Sequence, residues 1–289
     1  MTFFTKLDEI MKQDLGCRGL LGSLPANPIT EAAETLKHAK KVILLTGFPV
    51  RMADGTFIGE TDGPSGTANL AYALTEVGAE VLVVTDKASF HLLEEALCYR
   101  APKAKVALLP EEHTVEFIKT CVRTFEPTHF ISLERPGKGS DGHYHNMRGE
   151  FIDDMLTDSA LLLCEAKAFG AVTICIGDGG NEMGMGTFHD EVVGHVPCGE
   201  LICSEDCADI TLASGVSNWW GWGIAAILSR ETGKALLPTA AEETELLHRV
   251  VLAGGVDGCT KENADTVDNL SLETHLAVLR SVAELLETK

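Results

Sequence analysis

Short, nearly unbroken apolar runs recur along this chain, and between them the apolar positions shift to a helical spacing. Val42-Ile43-Leu44-Leu45, Val81-Leu82-Val83-Val84, Phe130-Ile131-Ser132-Leu133 and Val172-Thr173-Ile174-Cys175-Ile176 are continuous rather than alternating. Runs of that length and content read as strands buried on both faces, which is the habit of parallel sheets. Six strands are predicted, over residues 41–47, 80–86, 105–109, 129–133, 171–176 and 208–213. Helices are predicted over 7–15, 30–40, 64–76, 90–99, 115–125, 158–169, after Asn218 through Leu228, and over 242–252 and 272–286. Residues 48–61 read as a loop. The alternation implies an α/β fold, a doubly wound, mostly parallel sheet with helices on both faces. A single α/β domain over 1–289 is expected, with 1–40 as a helical lead-in and 230–289 as a helical segment packing on it.

Composition narrows the partners. The 289 residues carry a formal net charge of −20, so neither a nucleic-acid backbone nor an anionic membrane is an expected partner. The nine cysteines form no Cys-x-x-Cys pair, which suits free thiols in a reducing compartment. The first residues, Met1-Thr2-Phe3-Phe4-Thr5-Lys6-Leu7-Asp8-Glu9, lack the apolar stretch of a secretory signal. A cytoplasmic location is the expectation. No nucleotide cofactor is expected either: in Gly177-Asp178-Gly179 the third glycine of a dinucleotide fingerprint is replaced by Glu182, and no phosphate-binding glycine-lysine loop follows a strand.

Parallel strands place their carboxyl ends on one edge, where open α/β sheets bind ligands. Thr46-Gly47, Thr85-Asp86, Glu134-Arg135, Gly177-Asp178 and Ser214-Gly215 all fall at predicted carboxyl ends. Acidic, glycine-rich loops cluster there. Glu60, Asp62, Asp178, Glu182 and Asp257 are candidate metal ligands, and an all-oxygen set suits magnesium or manganese better than zinc. Glu134, Asp178, His143 and His145 are candidate acid/base groups; the two histidines alternate, so an extended segment turns both rings the same way. Arg135 offers a planar fork for a carboxylate, and Lys138 and Arg148 add charge nearby. Thr46, Gly47, Gly63, Ser65, Asn181 and Asn218 complete the candidate substrate contacts. The substrate expected is small, anionic and amino-acid-like.

Plainer readings stand beside these. Asp62 serves equally as a cap for the helix opened by Pro64, or that helix's free amides attract an anion. Arg135 and Glu134 also suit a structural ion pair, and Asp257 suits a turn. His189, His195, Cys198, Cys203 and Cys207 match no standard zinc spacing, and Trp219-Trp220-Gly221-Trp222 reads as helix packing.

Together, Leu44-Leu45-Thr46-Gly47-Phe48-Pro49-Val50, Glu60-Thr61-Asp62-Gly63-Pro64-Ser65-Gly66, Glu134-Arg135-Pro136-Gly137, Gly177-Asp178-Gly179-Gly180-Asn181-Glu182-Met183-Gly184 and Gly215-Val216-Ser217-Asn218-Trp219 resemble the D-glutamate cyclase carboxy-terminal domain family. The resemblance implies an α/β domain with an acidic, divalent-metal-holding pocket. In the larger family protein this domain follows another, and the whole converts D-glutamate to 5-oxo-D-proline with loss of water. That preceding domain is missing from the layout here. Three functions therefore remain open: the same lyase reaction; metal-dependent hydrolysis of a small phosphoester or amide; or a non-catalytic metal- or metabolite-binding module. The last needs a partner, either a separate N-terminal-domain-like subunit or another copy of the chain.

Overall fold

A computed structural model describes residues 2–288. The strands in chain order are β1 (Lys41–Thr46), the hairpin β2 (Pro49–Arg51) and β3 (Phe57–Gly59), β4 (Glu80–Thr85), β5 (Lys105–Leu108), β6 (His129–Leu133), β7 (Val172–Gly177), β8 (Ile210–Ala213), and the short pair β9 (Thr266–Val267) and β10 (Leu270–Ser271). The helices are α1 (Phe3–Met11), α2 (Ile29–Leu36), α3 (Pro64–Glu76), α4 (Phe90–Arg100), α5 (Thr114–Phe125), α6 (Ala160–Phe169), α7 (His189–His195), α8 (Gly199–Ile202), α9 (Trp219–Thr232), α10 (Ala240–Leu252) and α11 (Leu272–Glu287).

Six strands pair in parallel in the order β5-β4-β1-β6-β7-β8. Successive side chains on a strand point to opposite faces, and both faces here are apolar. Val42, Leu44, Val81, Val83, Ile131, Ile174 and Leu212 join a core with α1, α3, α4, α9, α10 and α11. Ile43, Leu45, Val84, Phe130 and Cys175 join a second core with Ile118 and Val122 of α5 and Leu162 and Ala166 of α6. This is why the runs are continuous, and it makes the fold α/β and doubly wound. From β1 the chain winds outward through β4 to β5, then returns and winds the other way through β6, β7 and β8. The reversal opens a crevice between the carboxyl ends of β1 and β6, the place where such sheets bind ligands.

The sequence reading and the fold differ mainly outside the sheet. Residues 48–61 are not plain loop: β2 and β3 pair antiparallel, Val50 opposite Ile58, around a turn in which Asp54 Oδ1 accepts from the Thr56 amide at 3.0 Å. Three-residue strands are too short to show a period. α1 runs four residues earlier than the spacing suggested, because Thr2 caps it through the Thr5 amide. α7, α8 and the β9–β10 pair were not anticipated. All nine cysteines are free. Among the described residues no helix is long and apolar enough to cross a membrane.

The contact that positions the site is the packing of α3 against α9. Their amino ends approach so closely that a Cβ on Gly66 would lie 2.5 Å from Asn218 Cα, and one on Gly221 would lie 2.3 Å from the Gly66 carbonyl oxygen. Both obstacles are backbone, which cannot step aside. Gly66→Ala and Gly221→Ala are therefore each expected to cost about 1–3 kcal/mol, the range for overpacking, read from denaturant midpoints. A cost near zero for both would show that the helices do not need this approach.

Candidate functional site

The amino end of α9 collects carboxylates. Asp62 Oδ1 accepts from the Asn218 and Gly63 amides at 2.9 and 3.0 Å, and its Oδ2 from the Ser217 amide at 3.1 Å. The same Ser217 amide donates to Asp178 Oδ2 at 3.0 Å. Asp62 does not cap α3 alone: Asn218 Oδ1 takes the amides of Gly63 and Gly66 at 2.9 and 2.7 Å, reaching across from α9. The amides expected to attract an anion are thus already answered from within the protein.

Glu134 enters from the end of β6. Its φ of +48° places it in the left-handed region, which costs a non-glycine residue about 1–3 kcal/mol. Its backbone bonds to both neighbouring strands, accepting from the Gly47 amide at 2.9 Å and donating to the Ile176 carbonyl at 3.3 Å. Gly63 leaves the space for its side chain, since a Cβ there would lie 3.3 Å from Glu134 Cβ. Asp62, Glu134 and Asp178, all buried, bring one oxygen each within 4.8 Å of one another. Glu134 Oε2 has no hydrogen-bond partner, and neither do the nearby hydroxyls of Thr46 and Ser217.

Glu182 is held differently, each oxygen accepting one amide of its own loop, from Gly179 and Gly180 at 2.8 Å. Against this cluster lies one guanidinium. Arg18 hydrogen-bonds Asp178 through one nitrogen and forms an ion pair with Asp268 at 2.6 Å through the other. Burial of Arg18 opposes its charge, but Asp178 and Asp268 outweigh that and hold it protonated well above the ordinary range.

Burial first and neighbouring carboxylates second push the carboxyls the other way. Glu60, Glu134 and Asp178 are raised well above the usual range, and Asp62 to about 7. One arginine cannot balance so many carboxylates in a low-dielectric site, so the cluster must hold protons or a further cation.

Part of the cluster opens onto a cavity of about 590 Å³, with Asp62 and Asp178 behind its lining. Glu60, Glu134, Asn181, Glu182, Asp268 and Arg18 line its depth; Arg51, Arg148 and Lys261 line it too, with an apolar wall from Phe48, Val50, Met52, Phe151, Ile152 and Met155. Gly258 is needed beside Glu60, because a Cβ would fall 1.8 Å from Glu60 Oε2.

Residues 7–283 match the family described as D-glutamate cyclase-like, C-terminal. The chain belongs to the D-glutamate cyclase-like, C-terminal family. It is 30% identical over 235 residues to a human protein named D-glutamate cyclase, mitochondrial, covering 77% of this chain and 38% of that protein. The chain thus spans well under half the length of that relative.

Within this family member the sequence-read residues separate into two groups. Glu60, Glu134, Arg148, Asn181 and Glu182 line the cavity, and Asp62 and Asp178 lie in contact range of Glu134. Gly63, Asn218 and Thr46 stand behind these carboxylates, and the others lie further off. Arg135 does not face the crevice: it is wholly buried, with Nε on Ser159 Oγ at 3.0 Å and the terminal nitrogens on Asp86 at 2.6 Å, Gly47 O at 3.2 Å and Thr157 O at 2.5 Å. Its partner is Asp86 at the end of β4 rather than Glu134, because a buried carboxylate there requires a buried cation. Asp257 orders a turn, accepting amides of Cys259, Thr260 and Asn269 at 2.8–3.0 Å. Lys138 pairs with Asp158 at 2.6 Å. His145 is buried on Asp141 at 3.0 Å and His143 exposed on Asp153 at 3.2 Å; both rings pack on Phe151 as the alternation suggested, outside the cavity lining. Ser65 is buried in the helix layer, its hydroxyl beside Glu243. Thr46 and Gly47 turn the chain behind Glu134.

Arg18 and Asp268 escaped the sequence reading. Arg18 stands in Gly16-Cys17-Arg18-Gly19, far from any strand end, and Asp268 in a two-residue turn with positive φ at both Asp268 and Asn269. A charged residue flanked by glycines was the available signal for the first.

Two outcomes follow. Arg135→Met leaves Asp86 buried and uncompensated, so unfolding is expected to become about 3–5 kcal/mol easier, measured by denaturant titration; a loss below about 1 kcal/mol would mean water reaches Asp86. The carboxyls whose folded values are raised bind protons more tightly folded than unfolded, so stability falls as pH rises. For Asp62 the window runs from about 3.9, the ordinary value, to about 7. Chelator-treated protein should melt at lower temperature at pH 7 than at pH 5, and an opposite trend would contradict the raised values.

Proposed function

We propose that this cavity forms a lactam, converting D-glutamate to 5-oxo-D-proline with loss of water. The observation that supports the reading is the distribution of charge. Buried acceptors without partners, Glu134 Oε2 and Asn181 Oδ1, lie on the acidic side of the cavity and suit an ammonium, while Arg148 and Lys261 offer cations for carboxylates. A zwitterion with a second carboxylate matches such a cavity end to end. The family membership and the name of the human relative agree with it.

In this reading the floor first takes the substrate ammonium among Glu60, Glu134 and Glu182. One carboxylate must accept a proton from that ammonium before nitrogen can attack. The nitrogen then bonds to the side-chain carboxyl carbon and gives up a second proton; a C–O bond breaks, and the two protons lost by nitrogen leave with that oxygen as water. Glu134, whose carboxyl burial and neighbouring carboxylates push well above the usual range, is suited to pass a proton to that oxygen. Tethering of nucleophile and electrophile in one molecule removes most of the entropic cost. His143 and His145, outside the cavity lining, take no part.

The three converging carboxylates also fit a divalent cation. In place of the protons, Asp62, Glu134 and Asp178 would hold magnesium or manganese, with the unpartnered Glu134 oxygen as the observation in favour; Glu134 would then be a ligand and not the proton donor. Such an ion would supply positive charge to polarise the attacked carboxyl.

Incubation with D-glutamate, with and without magnesium or manganese, is expected to give 5-oxo-D-proline by chiral chromatography. Glu134→Gln should lower kcat by roughly 10²–10⁴, the range for a general acid. No product under any of these conditions, with no stabilisation by D-glutamate, would dismiss the reading. Calorimetry on chelator-stripped protein should show manganese binding that Asp178→Asn weakens at least about tenfold; identical binding by the variant would remove the cation from this site.

A further inference from the structure

We infer that the preferred substrate of this cavity is larger than free glutamate: a γ-glutamyl amide of an apolar amino acid. The inference rests on the lactam-forming reading and assigns the part of the cavity that glutamate leaves idle. At about 590 Å³ the space lies mid-range among pockets of about 300–1,000 Å³ that enclose drug-sized ligands, whereas glutamate has only about ten non-hydrogen atoms.

The wall is the second observation. Phe48, Ile152 and Met155 form an apolar cluster with Tyr144, separate from the sheet cores, and with Val50 they border the cavity. Phe151 lines it as well and is 59% exposed. Its ring is fixed in place by His143 and His145, at 5.2 and 4.8 Å between centroids. An aromatic ring held still at a cavity wall offers flat apolar surface that a ligand can cover. Glutamate, charged at every end, has nothing to lay against it.

Polar groups fit the same ligand. The γ-glutamyl ammonium takes the unpartnered Glu134 and Asn181 oxygens. The apolar side chain of the departing residue covers Phe151, Ile152 and Met155. Its terminal carboxylate meets Arg148, which makes no ion pair among the described residues, and Lys261, whose Nζ already donates to the Arg51 carbonyl at 2.9 Å. The chemistry balances without water: the α-amino nitrogen bonds to the γ-carbonyl carbon, the amide C–N bond breaks, and the proton lost by the attacking nitrogen ends on the departing amine. An amide also spares the site from expelling an oxygen from a carboxylate.

The probes are D-glutamate, γ-D-glutamylglycine and γ-D-glutamyl-L-phenylalanine, each followed by release of 5-oxo-D-proline and, for the amides, of free amino acid. The expected result is a kcat/KM for the phenylalanine amide roughly tenfold or more above that of the glycine amide, with Phe151→Ala erasing most of that ratio. Phe151 is mostly exposed, so the variant is expected to fold. Cyclisation of D-glutamate with both amides inert would overturn this inference and leave the lactam reading standing. Turnover of the amides without turnover of D-glutamate would support the inference and displace free D-glutamate as the substrate. Equal rates for the two amides, or an unchanged ratio in Phe151→Ala, would refute the apolar subsite. Failure of all three compounds would sink the lactam reading together with it.

Discussion

The amide of Ser217 stands where the structure has least freedom. It donates to Asp62 and Asp178 together, so two carboxylates from loops after different strands are drawn to a single hydrogen. The next residue completes the junction: the Asn218 amide takes Asp62, its side-chain oxygen takes two amides of α3, and its side-chain nitrogen reaches the Thr61 carbonyl at 3.0 Å. The positive end of α9 favours the negative charge gathered there. None of this survives if α3 and α9 separate, and Gly66 against Gly221 is what lets them touch. A packing contact between two glycines thus determines where the acids of the floor converge.

That convergence works against stability. Carboxyls packed this closely, out of water, resist ionisation, and the arm carrying Arg18 reaches in to neutralise part of the charge. The arm is anchored independently, with Leu20, Leu21 and Leu24 packed on Met185, Phe188 and Val192, so the guanidinium is delivered by hydrophobic burial rather than by its own ion pairs. Strain of this kind is concentrated where chemistry needs unusual proton affinities. Glu134 combines it with a left-handed backbone and an unpartnered oxygen.

The cavity also depends on elements with little intrinsic stability. The β2–β3 hairpin supplies Phe48 neighbours Pro49, Val50 and Arg51 to one wall, and its strands are only three residues long. It holds because β3 continues through the Gly59 amide to the Ala88 carbonyl and the Glu60 amide to the Phe48 carbonyl. Glu60 is placed by that link, opposite the turn built on Asp257.

How much was legible can be judged residue by residue. The strands were readable because burial on both faces writes itself into continuous apolar runs, and β6 was found to the residue. Glu134, Asp178 and Glu182 were readable as a group because parallel strands share a carboxyl edge; Asp62 reaches them from the loop after the antiparallel β2–β3 hairpin, and only its acidic, glycine-rich surroundings marked it. Other features were not local. Whether Arg135 faces a ligand or a partner depends on Asp86, a strand away on the far side of β1; whether a guanidinium reaches the floor depends on an arm from the other end of the chain. His143 and His145 alternate as expected but lie outside the cavity lining, since spacing fixes a common side and not what lies on it. The sequence by itself determined the sheet and the edge that carries most of the acids, because these follow from periodicity and strand direction. Only the tertiary structure decided which charges meet, because pairing is chosen by distance after folding, and distance is not written in the order of residues.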